Sequence, residues 1–305
     1  MTENTVTLVA VDPYPVAALA ALFDDGLPAA GPGDALPPYW HLAACAVPPP
    51  TGALGPDGHH RSGLVTAPPG LPRRMFAGGR LSAPGTVRVG ERLDLTQRVT
   101  ASRDKQGRSG PLRFTTARSV FRRPDGDVVL VEEQDIVYRA AAAPASSRAA
   151  AGPGDGPGRL LTRLGEPLRA VLRADAVALQ RFSAATANPH RIHYDHPYVT
   201  SVEGYRGLIV HGPLLLLSML ELIRLDLPGV VVTGVRFRAE APVFAGDTVD
   251  LSGERHPDGV VRLTAVAARD APDAQDAPDA PDAPDAMTVE CVTRPADEAL
   301  DRDGG

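Results

Sequence analysis

The run Pro213-Leu-Leu-Leu-Leu-Ser-Met-Leu-Glu-Leu222 constrains the fold more than any other stretch of this chain. Proline is favoured in the first turn of a helix, and His211-Gly212-Pro213 supplies an N-terminal boundary with Gly212 as an acceptable cap. A helix apolar nearly all round has to be buried on every side. At about ten residues the run is far short of the roughly 20 needed to cross a bilayer. Something must therefore wrap it. The segments that follow, Gly229 to Ala239, Thr248 to Gly253, Val260 to Ala268 and Met287 to Arg294, have strand character, and Asp258-Gly259 is a hairpin signal between two of them. One helix enclosed by a curved antiparallel sheet is an α+β layer arrangement.

The first half repeats the theme. A helix candidate at Val16 to Phe23 precedes strand candidates at Leu93 to Val99, Leu112 to Phe121 and Val128 to Tyr138, with Asp125-Gly126 at a hairpin turn. Ala140 to Gly158 is Ala, Pro, Gly and Ser with few bulky side chains, as in an interdomain linker. Ala271 to Ala286 repeats Ala-Pro-Asp, which denies a helix and spaces like charges, so a disordered excursion between strands is expected. The expected organisation is an N-terminal domain over 1–143, a linker over 144–160 and a second domain over 161–297 carrying the insert 271–286.

Among 305 residues, 43% hydrophobic content can fill two cores, and the net charge of −6 offers no general attraction to nucleic acid or anionic membrane. Pro72-Arg73-Arg74 and Phe121-Arg122-Arg123 read as solvated faces. Two cysteines, Cys45 and Cys291, make no disulfide framework and give a thiol mechanism no positive support, so a reducing, cytoplasmic setting without thiol chemistry is expected. Met1-Thr-Glu-Asn-Thr-Val shows neither a basic nor an apolar stretch, so no secretory signal is expected.

Chemistry concentrates in Phe182-Ser-Ala-Ala-Thr-Ala-Asn188-Pro-His190-Arg-Ile-His193-Tyr-Asp195. Neutral imidazole is the usual general base near pH 7, and His193 stands among His190, His196, Asn188 and Asp195. Asn188-Pro189 is also a turn signal, so Asn188 serves either a turn or a substrate. His190 and His193 lack the i, i+4 spacing of a zinc pair and Pro189 interrupts any helix, so no metal is expected. The Gly212 end of the buried helix offers unpaired N–H groups and a positive dipole end, fit for a developing oxyanion. In the first half, Met75-Phe-Ala-Gly78-Gly79-Arg80 lacks the residues of a phosphate loop and reads as a bulge. Trp40-His41 reads as packing or a pocket wall. Glu132-Glu133-Gln134-Asp135 reads as an exposed strand edge, with Arg139 or Arg74 as partners.

At these residues the chain resembles the MaoC-like, R-specific enoyl-thioester hydratases and dehydratases. It is most similar to their two-domain subgroup, which includes mesaconyl-C4-CoA (3-methylfumaryl-CoA) hydratase and mitochondrial-type 3-hydroxyacyl-thioester dehydratases. The resemblance rests on Pro38-Tyr-Trp-His41, Gly55-Pro-Asp-Gly-His59, Leu71-Pro-Arg-Arg-Met-Phe-Ala-Gly-Gly-Arg-Leu81 and Glu132 to Arg139, then on the histidine segment and Val210-His211-Gly212. It implies a double hot-dog fold with a degenerate N-terminal domain. It implies reversible hydration of an enoyl thioester, with short or branched acyl groups, dicarboxylic ones among them, carried by CoA or acyl carrier protein and with no other cofactor.

The family motif Asp-x-Asn-Pro-x-His-x-Asp, laid without gaps, places its catalytic His on His193 and its Asp on Asn188. A second registration, matching Asn188-Pro189 to the motif's own Asn-Pro, puts Thr186 at the Asp position. In both, the carboxylate is missing. The resemblance then implies His193 as base, Asn188 orienting water, His190 as a second acid/base and the Gly212 N–H as oxyanion donor. Substrate contacts are implied at Val210, His211, Asp195, Arg191, Arg74 and Arg80. A double hot-dog chain can already mimic a dimer of single-domain relatives, which leaves homo-oligomerisation open. Competing readings are a non-catalytic acyl-thioester binding protein, an acyl-carrier-protein dehydratase of fatty-acid or polyketide metabolism, and a hot-dog thioesterase.

Overall fold

The computed structural model describes residues 6–61, 64–107, 110–140, 158–268 and 285–296. The first half contains β1 (Val6–Ala10), α1 (Pro13–Phe23), α2 (His41–Ala44), β2 (Arg73–Ser82), β3 (Arg92–Gly107), β4 (Gly110–Arg122) and β5 (Val128–Arg139). The second contains β6 (Leu161–Arg163), β7 (Arg169–Arg173), α3 (Ala176–Ala185), α4 (His196–Ser201), α5 (Gly212–Asp226), β8 (Val230–Ala239), β9 (Thr248–Arg255), β10 (Val260–Ala267) and β11 (Met287–Pro295).

Among the described residues the strands form one antiparallel sheet in the order β1-β3-β4-β5-β2-β8-β11-β10-β9-β7-β6. The order is nearly a palindrome about the β2–β8 seam, where Arg80 pairs with Arg236. The two halves are therefore related as two hot-dog units joined edge to edge, and the sheet closes over α5. From Leu214 to Ile223 every residue of α5 is buried, including Ser218 and Glu221. Ser218 Oγ donates to Leu214 O at 2.8 Å, and Glu221 accepts from Trp40 Nε1 at 3.1 Å and from Arg224 Nε at 2.6 Å. Each buried leucine contributes about 1.5–3 kcal/mol, so the helix that sequence singled out is the core of its half.

Among the described residues the first half carries no counterpart of that length. α1, capped by Asp12 through a bond from Tyr14 N–H at 2.8 Å, packs against α3. By its place directly after β1 it matches α3, which follows β7. The position corresponding to α5 holds only the four-residue α2. Strands β1, β6 and β7 and the full length of β2 were not legible in the sequence, being short or glycine-rich. Of the expected linker, residues 144–157 lie outside those described, and Leu160 beyond them is buried. Most of the Ala-Pro-Asp insert also lies outside them, and Ala286 at its end is buried beside β11.

Candidate active site

A cavity of about 260 Å³ lies between the halves, at the N-terminal end of α5. Its wall includes His59, Arg74, Phe76 and Gln134 from the first half, and Asn188, His190, His193, Val210 and Gly212 from the second.

His193 closes a 3-10 turn over Arg191–His193 and is buried. Its Nδ1 lies 2.8 Å from Ile209 O. A carbonyl oxygen only accepts, so Nδ1 carries the proton and Nε2 is left as the ring's acceptor. Burial pushes this imidazole down to about 4, only partly offset by the bond to Ile209, so it is a neutral base at pH 7. The His211 ring stacks beneath it with centroids 3.5 Å apart at 18°. His211 is the N-cap of α5, its Nε2 2.9 Å from Ser183 Oγ of α3, and it is fully buried behind His193 rather than in the cavity wall.

Asn188 lines the cavity while its Oδ1 accepts from His190 N–H at 3.1 Å. The turn reading and the cavity reading thus both hold. Thr186 Oγ1 instead donates back to Phe182 O at 2.7 Å, so the cavity-facing side chain at this turn is Asn188. Gly212 opens α5 under the Phe76 ring, and a Cβ there would come within 2.5 Å of Phe76 Cδ1. The first N–H groups of a helix have no intrahelical acceptor, so the Gly212 end presents donors to the cavity.

Besides His211, three expected substrate contacts lie outside the cavity wall. Asp195 caps α4, accepting from Tyr198 N–H at 3.0 Å, and holds Arg191 at 2.7 Å. Arg191 in turn donates to Pro56 O at 2.9 Å and lies over the Tyr198 ring. Arg80 is turned away by a β-bulge. Between Phe76 and Gly78 the register of β2 shifts by one residue, which flips the alternation of faces. Arg74 and Phe76 face the cavity, while Arg80 points outward to Glu133 at 2.6 Å.

Two further readings are corrected. Arg73 and Arg74 are not a solvated face: Arg73 is buried on Glu203 at 3.1 Å and on the Tyr205 ring. Arg74 is desolvated, which lowers its pKa, and its Nε has no acceptor among the described residues. Glu132 to Asp135 is no edge either, because β5 runs between β4 and β2. Glu132 is buried against His41 at 3.3 Å and accepts from Gln134 Nε2 at 2.9 Å.

Sequence reasoning missed Asp57 and His59 as site residues. Their only signal was the Gly55-Pro-Asp-Gly-His59 motif. The His59 ring lies 3.9 Å from the His190 ring, and His190 stands 5.5 Å from His193. Burial lowers all four imidazoles, His59, His190, His193 and His211, from the ordinary 6.5. As pH falls below about 6.5, the unfolded chain takes up protons that the folded chain refuses. Stability is therefore fully present above 6.5 and is lost toward pH 4, by up to about 1.4 kcal/mol per unit for each imidazole. Urea midpoints between pH 7.5 and 4.5 should fall steeply, and less so for His193→Gln. A flat profile would contradict the sequestration of these rings.

Over 95% of its length the chain superposes on a MaoC-like dehydratase, covering 96% of that chain with a TM-score of 0.63 at 14% identity. Over 96% it superposes on a Mycobacterium tuberculosis protein described as having a double hot-dog fold, covering 97% of it with a TM-score of 0.53 at 17% identity. The palindromic sheet is thus a double hot-dog fold, the architecture of MaoC-like dehydratases. The family model for hydroxyacyl-thioester dehydratase type 2 matches residues 39–245, across both halves. Mesaconyl-C4-CoA hydratase of Chloroflexus aurantiacus is 37% identical over 241 residues, covering 75% of this chain and 82% of that protein. This chain belongs to the hydroxyacyl-thioester dehydratase type 2 family and is a hydro-lyase acting on thioesters. Among the described residues no helix is long and apolar enough to cross a membrane.

Proposed function

We propose that the chain hydrates an enoyl thioester reversibly to the 3-hydroxyacyl thioester, with His193 as general base and the Gly212 N–H as oxyanion donor. The observation that carries this reading is the His193 Nδ1 bond to Ile209 O, which leaves Nε2 as the proton acceptor in a wall shared with Gly212. In hydration, Nε2 takes a proton from water as the oxygen bonds to the β-carbon. The alkene pair moves between the α-carbon and the thioester carbon, and the carbonyl pair moves onto its oxygen, where the Gly212 N–H holds the negative charge. The imidazolium then returns the proton to the α-carbon and the carbonyl re-forms. One such donor contributes about 2.7–4 kcal/mol to the barrier reduction. Asn188 orients the water, and no metal or redox cofactor enters this scheme.

A cavity of about 260 Å³ suits a short or branched acyl group. Arg74, desolvated and with Nε unpaired, supports an acyl chain bearing a free carboxylate, which agrees with the name of the mesaconyl relative. CoA is the proposed carrier. Purified protein offered a panel of enoyl-CoA and enoyl-acyl-carrier-protein thioesters should bleach the enoyl-thioester absorbance reversibly, without releasing thiol. Binding without turnover across that panel, or thiol release in place of hydration, would refute the reading. Arg74→Met should lower kcat/KM about 10²-fold for a carboxylated enoyl thioester and leave a neutral one of similar size unchanged. Equal losses on both would remove Arg74 from substrate recognition.

A further inference from the structure

Among the described residues the histidine turn sends no carboxylate into the cavity wall, and the other half of the molecule reaches into that turn. Gly55 to His59 forms a closed loop, with Gly55 N–H donating to His59 O and Gly58 N–H to Gly55 O. Arg191 pins it from the catalytic turn, its backbone N–H donating to Asp57 O at 2.9 Å and its Nη1 to Pro56 O at 2.9 Å. Gly58, at φ +91°, lies so close that a Cβ there would be 1.9 Å from Pro189 O. The loop is therefore seated on Pro189-His190, and it carries a carboxylate–imidazole pair. Asp57 Oδ2 lies 3.1 Å from His59 Nδ1, and Asp57 Oδ1 accepts the His59 N–H at 3.0 Å.

We infer that His59, oriented by Asp57, is a second catalytic imidazole supplied by the N-terminal half, filling the acceptor position that Asn188 leaves vacant. The inference rests on the hydratase reading. Burial raises the Asp57 carboxyl, but its bonds from His59 outweigh this and hold it below the ordinary range. A carboxylate only accepts, so His59 Nδ1 carries the proton and Nε2 is the free acceptor. His59 and His193 line one cavity. A water there donates one O–H to each Nε2 and presents its lone pair to the β-carbon. His193 takes the proton and later returns it to the α-carbon, so no net proton passes through His59. Asn188 Oδ1 already accepts from His190 N–H within its own turn, which leaves Asn188 to orient the water as a neutral amide rather than as a basic acceptor. Asp57 is a positioning residue: it fixes the tautomer that leaves Nε2 unprotonated.

The ligand atoms of Asp57, His59 and His190 all lie within 4.8 Å of one another, so the same residues could gather round a cation. The nearby Arg74 charge, which lowers both His59 and His190, opposes that occupant.

The test compares His59→Leu with His59→Gln, whose amide oxygen keeps an acceptor. His59→Leu should lower kcat about 10²-fold with little change in KM, and His59→Gln should retain more activity. Added imidazole should rescue His59→Ala, which a purely structural histidine would not allow. Asp57→Asn should lower kcat and move the ¹⁵N signals of His59 toward the other tautomer, and Asp57→Glu should recover part of both. Chelator should leave wild-type turnover unchanged. Near wild-type kcat in His59→Leu, equal rates in Leu and Gln variants, or zinc-dependent turnover would each overturn the inference. Histidine ¹⁵N spectra with a 3-hydroxyacyl-CoA separate this from failure of the hydratase reading. Shifts at both His193 and His59 without turnover would sink the reaction and keep the site. A shift at His193 alone would sink the role of His59.

Discussion

His193→Ala should reduce turnover about 10²–10⁴-fold while the protein still folds and binds thioester, because it removes the base and leaves the Gly212 end of α5 in place. The side chain is buried over His211, so the substitution also leaves a small void and strips Ile209 O of its donor. An unsatisfied buried acceptor costs about 1–3 kcal/mol, which lowers the melting temperature but does not explain a loss of that size. His193→Gln keeps an amide donor and should be the more stable of the two while remaining equally slow. Rates and melting curves for both variants, with one enoyl thioester, decide the matter. Turnover near wild type in either would move the chemistry to another residue.

Gly58→Ala should have the second large effect, although Gly58 touches no substrate in the scheme. Its φ of +91° is already strained for a residue with a Cβ, and the added carbon would meet Pro189 O at 1.9 Å and Pro189 C at 2.7 Å. These are backbone atoms and cannot rotate aside. The left-handed conformation costs roughly 1–2 kcal/mol on its own. The loop must therefore lift, breaking the Arg191 bonds to Asp57 O and Pro56 O and drawing His59 out of the wall. A displacement of about 1 Å in a positioning group can cost about 10²-fold in rate. Gly126→Ala is the control, since its φ of +101° is similar and nothing lies within 4 Å of the added Cβ. Gly58→Ala should lose activity far beyond its loss of stability, and Gly126→Ala should lose stability alone. Equal activity in the two would mean that the loop is not seated on the catalytic turn.

Much of the site was legible because local sequence fixes local chemistry. His193, Asn188 and Gly212 were read from a turn and a helix start close together in the chain, Val210 was implied by the resemblance, and all four line the cavity. Arg74 and Arg80 were both implied as substrate contacts by the resemblance, and only Arg74 lines the cavity, because the bulge turns Arg80 away. The bulge at Phe76/Gly78 is set by pairing with β5 and β8, partners distant in sequence. Arg191 and Asp195 stand outside the cavity wall for a related reason: each pairs with the other, and Arg191 also holds the loop before His59.

From local pattern alone it follows that one helix, apolar on nearly every face, must be buried in a sheet, and that a base and a helix start stand about twenty residues apart. Those conclusions need only periodicity, proline and glycine chemistry, and the cost of exposing leucine. Which face of β2 meets the cavity, that β5 is interior, and that Asp57 and His59 sit against His190 emerge only once the strands are paired. These facts depend on register and on loop closure over more than 130 residues. Such contacts are fixed by what packs across the β2–β8 seam, and no local pattern encodes them.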